Sequence, residues 1–250
     1  MNLCSHSLLA KSLRKGRLPW PVLPILFVLI LGLGVVSPSA TGTSDKEARK
    51  ATPAVEPVGP PVKAYGSKDA PITIEVFTDY QCPSCRNLYE NTLRPMINDY
   101  VASGKVYLVH HDFPLPMHKY GFEAARWANA AARVGEFASV EAALYDNQDS
   151  WGTDGNIAKY VSAAMSGADF KRVEKLMDGC LVPTSVEAAQ GSHGCALDAY
   201  IEEDRAIGMR IPVTATPTYV ITYKGQHLPP ASGFVSWPIL KQFFDSLLSQ

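Results

Sequence analysis

From Ile72 to Phe77 apolar and polar side chains alternate, which predicts a half-buried strand, since successive strand residues face opposite sides of a sheet. After a short turn the apolar spacing lengthens. Leu93, Ile97, Tyr100 and Val101 recur at helical intervals in a segment that opens near Pro83 and closes near Ser103. Pro95 lies inside that segment and is expected to bend or interrupt the helix, because proline lacks the N–H that the helical ladder uses. Gly104 ends the helix, and Val106 to His111 reads as a second, buried strand. Two strands joined through a helix of this length make a right-handed parallel unit.

The pattern changes at residues 119 to about 207, which are rich in Ala and Glu and carry no strand signal. Ala124, Ala125, Ala128, Ala131 and Ala132 form a small-residue face that lets another helix approach closely, with Trp127 and Phe137 to fill its ends. Gly135, Gly152, Gly155, Gly167 and Gly179 are expected to punctuate the stretch into short helices. This is an inserted helical subdomain. Strands then return: Thr218 to Tyr223 is β-branched and aromatic, Lys224-Gly225 makes a turn, and a further short strand reaches toward Ser232-Gly233. Ile239, Leu240, Phe243, Phe244, Leu247 and Leu248 mark a closing amphipathic helix, with Ser236 as N-cap and Pro238 in its first turn.

Ahead of the strands, Lys11, Arg14, Lys15 and Arg17 precede an uncharged, Val/Leu/Ile-rich run from Leu18 to Val36. Residues 1–17 therefore read as a basic region that stays in the cytoplasm, and 18–40 as a signal anchor or a signal peptide. The run is just long enough to span a bilayer, and the small residues Ser37 to Gly42 resemble a cleavage region. Pro38 is unfavourably placed for a cut after Ala40, which inclines the reading toward a retained anchor. Residues 41–61, with Pro53, Pro57, Pro60 and Pro61, read as a flexible linker, and 62–250 as one domain containing the helical insertion. In either case the domain is exported to a compartment where disulfides persist. A net charge of −1 leaves no basic footprint for nucleic acid.

The chemistry lies in Cys82-Pro83-Ser84-Cys85, at the junction of the first strand and the first helix. Proline suits the first helical position, so Cys82 falls at the N-cap, where free backbone N–H groups and the helix dipole favour a thiolate. Free cysteine titrates near pH 8.5, and Cys-X-X-Cys sites fall to roughly 3.5–7.5. Cys82 is thus the attacking sulfur, and Cys85, one helical turn on and buried beneath it, the resolving thiol. A zinc site would need a second ligand pair, and Cys180, His193 and Cys195 fit no common spacing, so no metal site is assigned. A purely structural disulfide across two residues would close too small a loop to stabilise much.

The order of strand, C-P-x-C at a helix start, strand, helical insertion, T-P before a hairpin and final helix resembles the DsbA-like thiol:disulfide oxidoreductases of the thioredoxin fold. Gly66 with Ala70-Pro71, Asp79-Tyr80-Gln81-Cys82-Pro83-Ser84-Cys85, Phe113-Pro114-Leu115 followed by His118, and Thr216-Pro217-Thr218 carry the resemblance from about Tyr65 to Leu248. It implies an α/β thioredoxin fold with an inserted α-helical subdomain. It further implies that Pro217 is a cis-proline beside the cysteines, with the Thr216 backbone offered to a substrate chain. His118 is expected to cap a helix, and His110 and His111 to sit on the strand, one side chain each way. Family members often carry a buried acid six residues before the first cysteine; here that position is Val76, and the adjacent Glu75 points to the opposite face of a regular strand.

The activity implied is introduction of disulfides into unfolded or reduced exported proteins, in the periplasm-facing cell envelope. No cofactor is expected beyond the redox-active disulfide, and a membrane quinone-linked partner of DsbB or VKOR type would reoxidise the site. The alternatives are a disulfide reductase or isomerase with the site kept reduced, or a non-enzymatic metal-carrying or chaperone-like binder. The remaining exported cysteines, Cys180 and Cys195, each follow a glycine in the insertion. In an oxidising compartment they are expected to form a structural disulfide, with two buried reduced thiols as the alternative.

Overall fold

The computed structural model describes residues 62–178, 180 and 195–250. The predicted basic region, signal segment and linker, and Gly179, lie outside the described residues.

The sheet is assembled around strand β2 (Ile72–Thr78), in which Ile72, Ile74 and Val76 turn one face inward and are almost fully buried. Strand β3 (Val106–Asp112) lies parallel to it with Ile72 opposite Val106 and Thr78 opposite Asp112. Strand β4 (Thr218–Tyr223) runs antiparallel on the other side, with Phe77 opposite Thr218. The short strand β1 (Ala64–Tyr65), which the sequence pattern does not predict, covers the outer edge of β3. Two residues carry too little alternation to read. Strands β5 (Gln226–His227) and β6 (Ala231–Ser232) both pair with β4 after a turn in which Lys224 and Gly225 have φ of 49° and 77°.

Between β2 and β3 the chain is helical from Pro83 to Val101. Helix α1 (Pro83–Leu88) continues into π-helical Tyr89–Leu93, then α2 (Arg94–Met96), then π-helical Ile97–Val101. Pro95 interrupts the regular α-helix without ending it: the helix widens on both sides, a π-helical bonding pattern that tolerates a residue without an N–H.

Among the described residues six helices follow between β3 and β4: α3 (Gly121–Val134), α4 (Phe137–Asp146), α5 (Gln148–Asp154), α6 (Ile157–Ala163), α7 (Gly167–Met177) and α8 (Asp198–Arg210). Ala124, Ala125, Ala128 and Ala131 of α3 are at most 1% exposed, the close approach that small side chains permit. Gly135 and Gly155 end α3 and α5 in the left-handed conformation, with φ of 87° and 74°. Gly152, expected to separate helices, sits inside α5. Gly167 is the first residue of α7, whose N-cap Ser166 accepts the Asp169 N–H at 3.1 Å. Helix α9 (Trp237–Leu248) closes the domain behind Ser236 and buries Leu240, Phe244 and Leu247.

Polar pairs tie the layers together. Arg126 of α3 donates two hydrogen bonds to Asp198 of α8, at 2.7 and 2.9 Å, and a third to the Cys180 carbonyl at 2.9 Å, all buried. On the far side, Lys63 bonds Asp112 and Asp204, fastening β1 to β3 and α8. His111 lies between Asp204 (2.7 Å) and Glu75 (2.8 Å). Burial alone would lower its pKa, but the hydrogen bonds it donates to these two carboxylates outweigh that and raise it to about 9.

Cys180 and Cys195 are joined in a disulfide across a sequence separation of 15, between the end of α7 and the start of α8. A loop of that size is worth about 3 kcal/mol in the chain-entropy model. Both cysteines are at most 6% exposed, so this bond is expected to survive mild dithiothreitol that fully reduces any bond at Cys82–Cys85. Mass-resolved alkylation of the native chain measures this. Labelling of Cys180 and Cys195 as readily as the other pair would contradict it.

Candidate active site

The end of β2 and the start of α1 are joined by Asp79, Tyr80 and Gln81, and Cys82 caps the helix in extended conformation (φ −78°, ψ 120°) with Pro83 in the first turn. Its carbonyl accepts the N–H groups of Cys85 and Arg86, both at 3.1 Å, and the N–H groups of Ser84 and Cys85 also act on its sulfur, Pro83 having none to offer. Cys82 Sγ also lies 3.5 Å from the carbonyl oxygen of Thr216, brought there by the cis Thr216–Pro217 peptide. Among the described residues this is the one cis bond. The structure thus brings Cys82, Cys85, Thr216 and Pro217 together, and places Cys180 and Cys195 in the helical layer.

The two site thiols are free and differ sharply in environment. Cys82 is 7% exposed and its pKa falls from 9.0 to about 5. The hydrogen bond from the Cys85 thiol is the largest cause; contacts at Thr216 and the Cys85 and Ser84 N–H groups add to it, against the cost of burial. Cys85 has no exposed surface, and burial pushes its thiol well above the ordinary value, reinforced by the neighbouring Cys82. Its backbone donor is the Asp79 N–H at 3.5 Å.

Nothing in the sequence pairs Asp79 with His118. The Asp79 carboxylate is buried and takes the N–H groups of Gln81 and Leu115, each at 2.8 Å, and His118 Nδ1 at 2.6 Å. A Cβ on Gly121 would come within 2.6 Å of its Oδ1, so only glycine leaves room for the carboxylate at the start of α3. His118 is therefore not a helix cap as expected. Its hydrogen bond to Asp79 raises its pKa, and the Cys82 charge adds to the effect. Two glutamines complete the frame: Gln148 of α5 donates to the Tyr80 and Cys82 carbonyls at 2.6 and 3.0 Å, and Gln81 bridges Gly152 and Tyr120. The helical layer is thereby fastened to the cysteine turn.

Val76 is fully buried and apolar, and Glu75 faces the other side of the sheet toward His111. His110 and His111 do take opposite sides: His110 stacks on Tyr80 and His111 on Phe77.

A family profile described as thioredoxin matches residues 60–227, most of the chain, and the chain belongs to that family. Solved structures with the same fold include a double variant of α-DsbA1 from Wolbachia pipientis, 18% identical over 75% of this chain and 90% of that one, with a TM-score of 0.58. DsbA2 of Pseudomonas aeruginosa is 24% identical over 77% and 97%, with a TM-score of 0.54. Oxidised BdbD of Bacillus subtilis is 17% identical over 77% and 98%, with a TM-score of 0.55. The described residues thus have the α/β thioredoxin fold in its DsbA-like form, with the helices of the insertion packed over the cysteine turn. Among curated sequences, the Na(+)/H(+) antiporter NhaA 3 of Salinispora tropica is 34% identical over 85 residues, 34% of this chain. This chain spans 12% of that relative's length.

Proposed function

We propose that the protein is an exported thiol:disulfide oxidoreductase that introduces disulfides into client proteins through Cys82 and Cys85. The observation that carries the reading is the opposite displacement of the two thiols: one held as a thiolate at a helix start, the other buried and protonated one turn below. In the oxidised form a client thiolate attacks the Cys82 sulfur, the Cys82–Cys85 bond breaks, and Cys85 leaves with the electron pair and takes up a proton. The client's second thiolate then attacks its own sulfur in the mixed disulfide and expels Cys82. Two electrons pass from client to protein, and Cys82 departs readily because its thiolate is stable near neutral pH. The Thr216 carbonyl and Pro217, beside the sulfur, would hold the client backbone.

The same stabilised thiolate supports the oxidising direction over reductase or isomerase action, because it lowers the free energy of the dithiol form. The DsbA resemblance supports export, facing the periplasm, unfolded clients, and reoxidation by a quinone-linked DsbB or VKOR type membrane partner. Among the described residues no helix is long and apolar enough to cross a membrane; the segment expected to do so lies outside them.

A glutathione redox titration tests the direction. The couple is expected nearer the roughly −120 mV of DsbA than the roughly −270 mV of thioredoxin, a span of about five decades in the equilibrium constant. A value at the thioredoxin end would replace the oxidase reading with the reductase one.

A further inference from the structure

Asp79 is in main-chain contact with both halves of the cysteine turn. Its carbonyl oxygen accepts the Cys82 N–H at 3.0 Å, and its own N–H donates to the Cys85 sulfur at 3.5 Å. The Cys85 thiol in turn donates to Cys82 and is the largest cause of that sulfur's lowered pKa. A shift of the Asp79 main chain therefore moves the donor on which the Cys82 thiolate most depends.

The Asp79 side chain has no exposed surface, and a buried carboxylate keeps its place only where counter-charge and hydrogen bonds replace water. The Gln81 N–H reaches Oδ1 at 2.8 Å and closes a turn over Tyr80. The Leu115 N–H and His118 Nδ1 reach Oδ2 at 2.8 and 2.6 Å, which ties the loop after β3 to the same carboxylate. Gly121 bounds the remaining side, where a Cβ would stand 2.6 Å from Oδ1. His118 supplies the counter-charge, and its side chain is 19% exposed. Other charged groups nearby have partners of their own: Arg205 of α8, which lines the same shallow depression as His118, pairs with Glu202, and Lys119 bonds the Tyr120 hydroxyl. The Cys82 charge also acts on the imidazole, but it is the smallest of the causes there, and the Asp79 hydrogen bond is the largest.

We propose that His118 is a positioning residue for the thiol pair: by holding the Asp79 carboxylate it fixes the Asp79 main chain against Cys82 and Cys85, and so sets how far the site favours its dithiol form. This deepens, and rests on, the oxidoreductase reading above. Without the imidazole the buried carboxylate keeps two N–H donors and loses its counter-charge, a state relieved by turning toward water or by taking up a proton. Either change loosens the turn over Tyr80 and draws the Asp79 N–H away from Cys85. The Cys85 thiol is then no longer held where it donates to Cys82, and the thiolate loses its main support.

Ultraviolet thiolate absorbance, followed against pH in the reduced full-length chain, reads the Cys82 midpoint. His118→Gln, at a partly exposed position, is expected to raise it by about one unit and to shift the glutathione equilibrium about tenfold toward the Cys82–Cys85 disulfide. Asp79→Asn is expected to raise the midpoint as well, although removing a negative charge would by itself lower it. The double variant is expected to match the larger single effect, because the two residues act in series. Gly121→Ala, which adds a methyl group against Oδ1 and removes no charge, is expected to move the midpoint the same way. A midpoint in His118→Gln within about 0.3 unit of wild type, a lowered one in Asp79→Asn, or effects that add in the double variant overturns the positioning role. If Asp79→Asn does not fold, His118→Gln and Gly121→Ala decide: both raised supports the role, and either one unmoved overturns it. A wild-type chain in which no thiol titrates below about pH 8, or which exchanges no disulfide with glutathione, overturns the oxidoreductase reading instead.

Discussion

Cys82→Ser is expected to reduce client oxidation to the uncatalysed rate, whereas Cys85→Ser is expected to leave clients attached as stable mixed disulfides. The two outcomes differ because the two sulfurs differ. Cys82 is the one with a solvent-facing edge and the Thr216 carbonyl and cis-Pro217 beside it, and surrounding donors favour its thiolate. A serine hydroxyl there is neither ionised nor able to form a disulfide, so acceleration is lost entirely, leaving exchange on the minutes-to-hours scale of unassisted rearrangement. Cys85 has no exposed surface and lies against Cys82. Without it the Cys82–client bond has no intramolecular competitor. Non-reducing electrophoresis of cells or lysates carrying each variant distinguishes them. Wild-type oxidation rates in Cys82→Ser, or no mixed disulfides in Cys85→Ser, would contradict the assignment.

The second large effect is a pH-dependent gap between the stabilities of the reduced and oxidised forms. In the reduced fold the Cys82 thiol titrates at about 5 rather than 9.0. A group whose folded pKa is depressed contributes stability that is complete above its unfolded pKa and disappears as pH falls through the folded one. The oxidised form has no such ionisation. The reduced protein should therefore gain on the oxidised one as pH rises from about 5 to about 9, by up to about 5 kcal/mol at about 1.36 kcal/mol per unit, less what solvent screening at the exposed edge of the sulfur removes. Guanidinium unfolding of both forms at about pH 4.5 and about pH 8 reads the change directly, because the entropic effect of the Cys82–Cys85 bond on the unfolded chain is common to both pH values. A gap that does not move with pH would mean that the thiolate is not stabilised by the fold. It would also remove the physical ground for an oxidising couple.

The helix-start position of Cys82 is legible in the amino-acid order alone, because it follows from local rules: an alternating strand, a turn, and a proline where a missing N–H costs nothing. Cys85 one turn on is legible for the same reason. The hairpin after Thr218 and the closing helix are equally plain, each set by period and turn chemistry within a few residues. Two elements are not. β1 is too short to carry a pattern, and Lys63 beside it pairs with Asp112 and Asp204, residues distant in sequence. The persistence of the helix through Pro95 depends on its π-helical neighbours.

The polar shell around the cysteines belongs to the same category. Asp79 and His118 stand in two separate motifs, and nothing local says that one accepts from the other at 2.6 Å. Gln148 carries no signal, since a glutamine in an amphipathic helix reads as solvent-facing until α5 is laid against the cysteine turn. Glu141 likewise is an ordinary helical glutamate until the packing of α4 buries it beside His110. The cysteine at the helix start, the cysteine one turn on and the order of elements are thus written in the chain itself, because backbone geometry and side-chain periodicity act over a few residues. Which polar groups surround the thiols is settled only when the chain packs, because burial and the pairing it enforces depend on helices and strands that meet from far apart in the sequence.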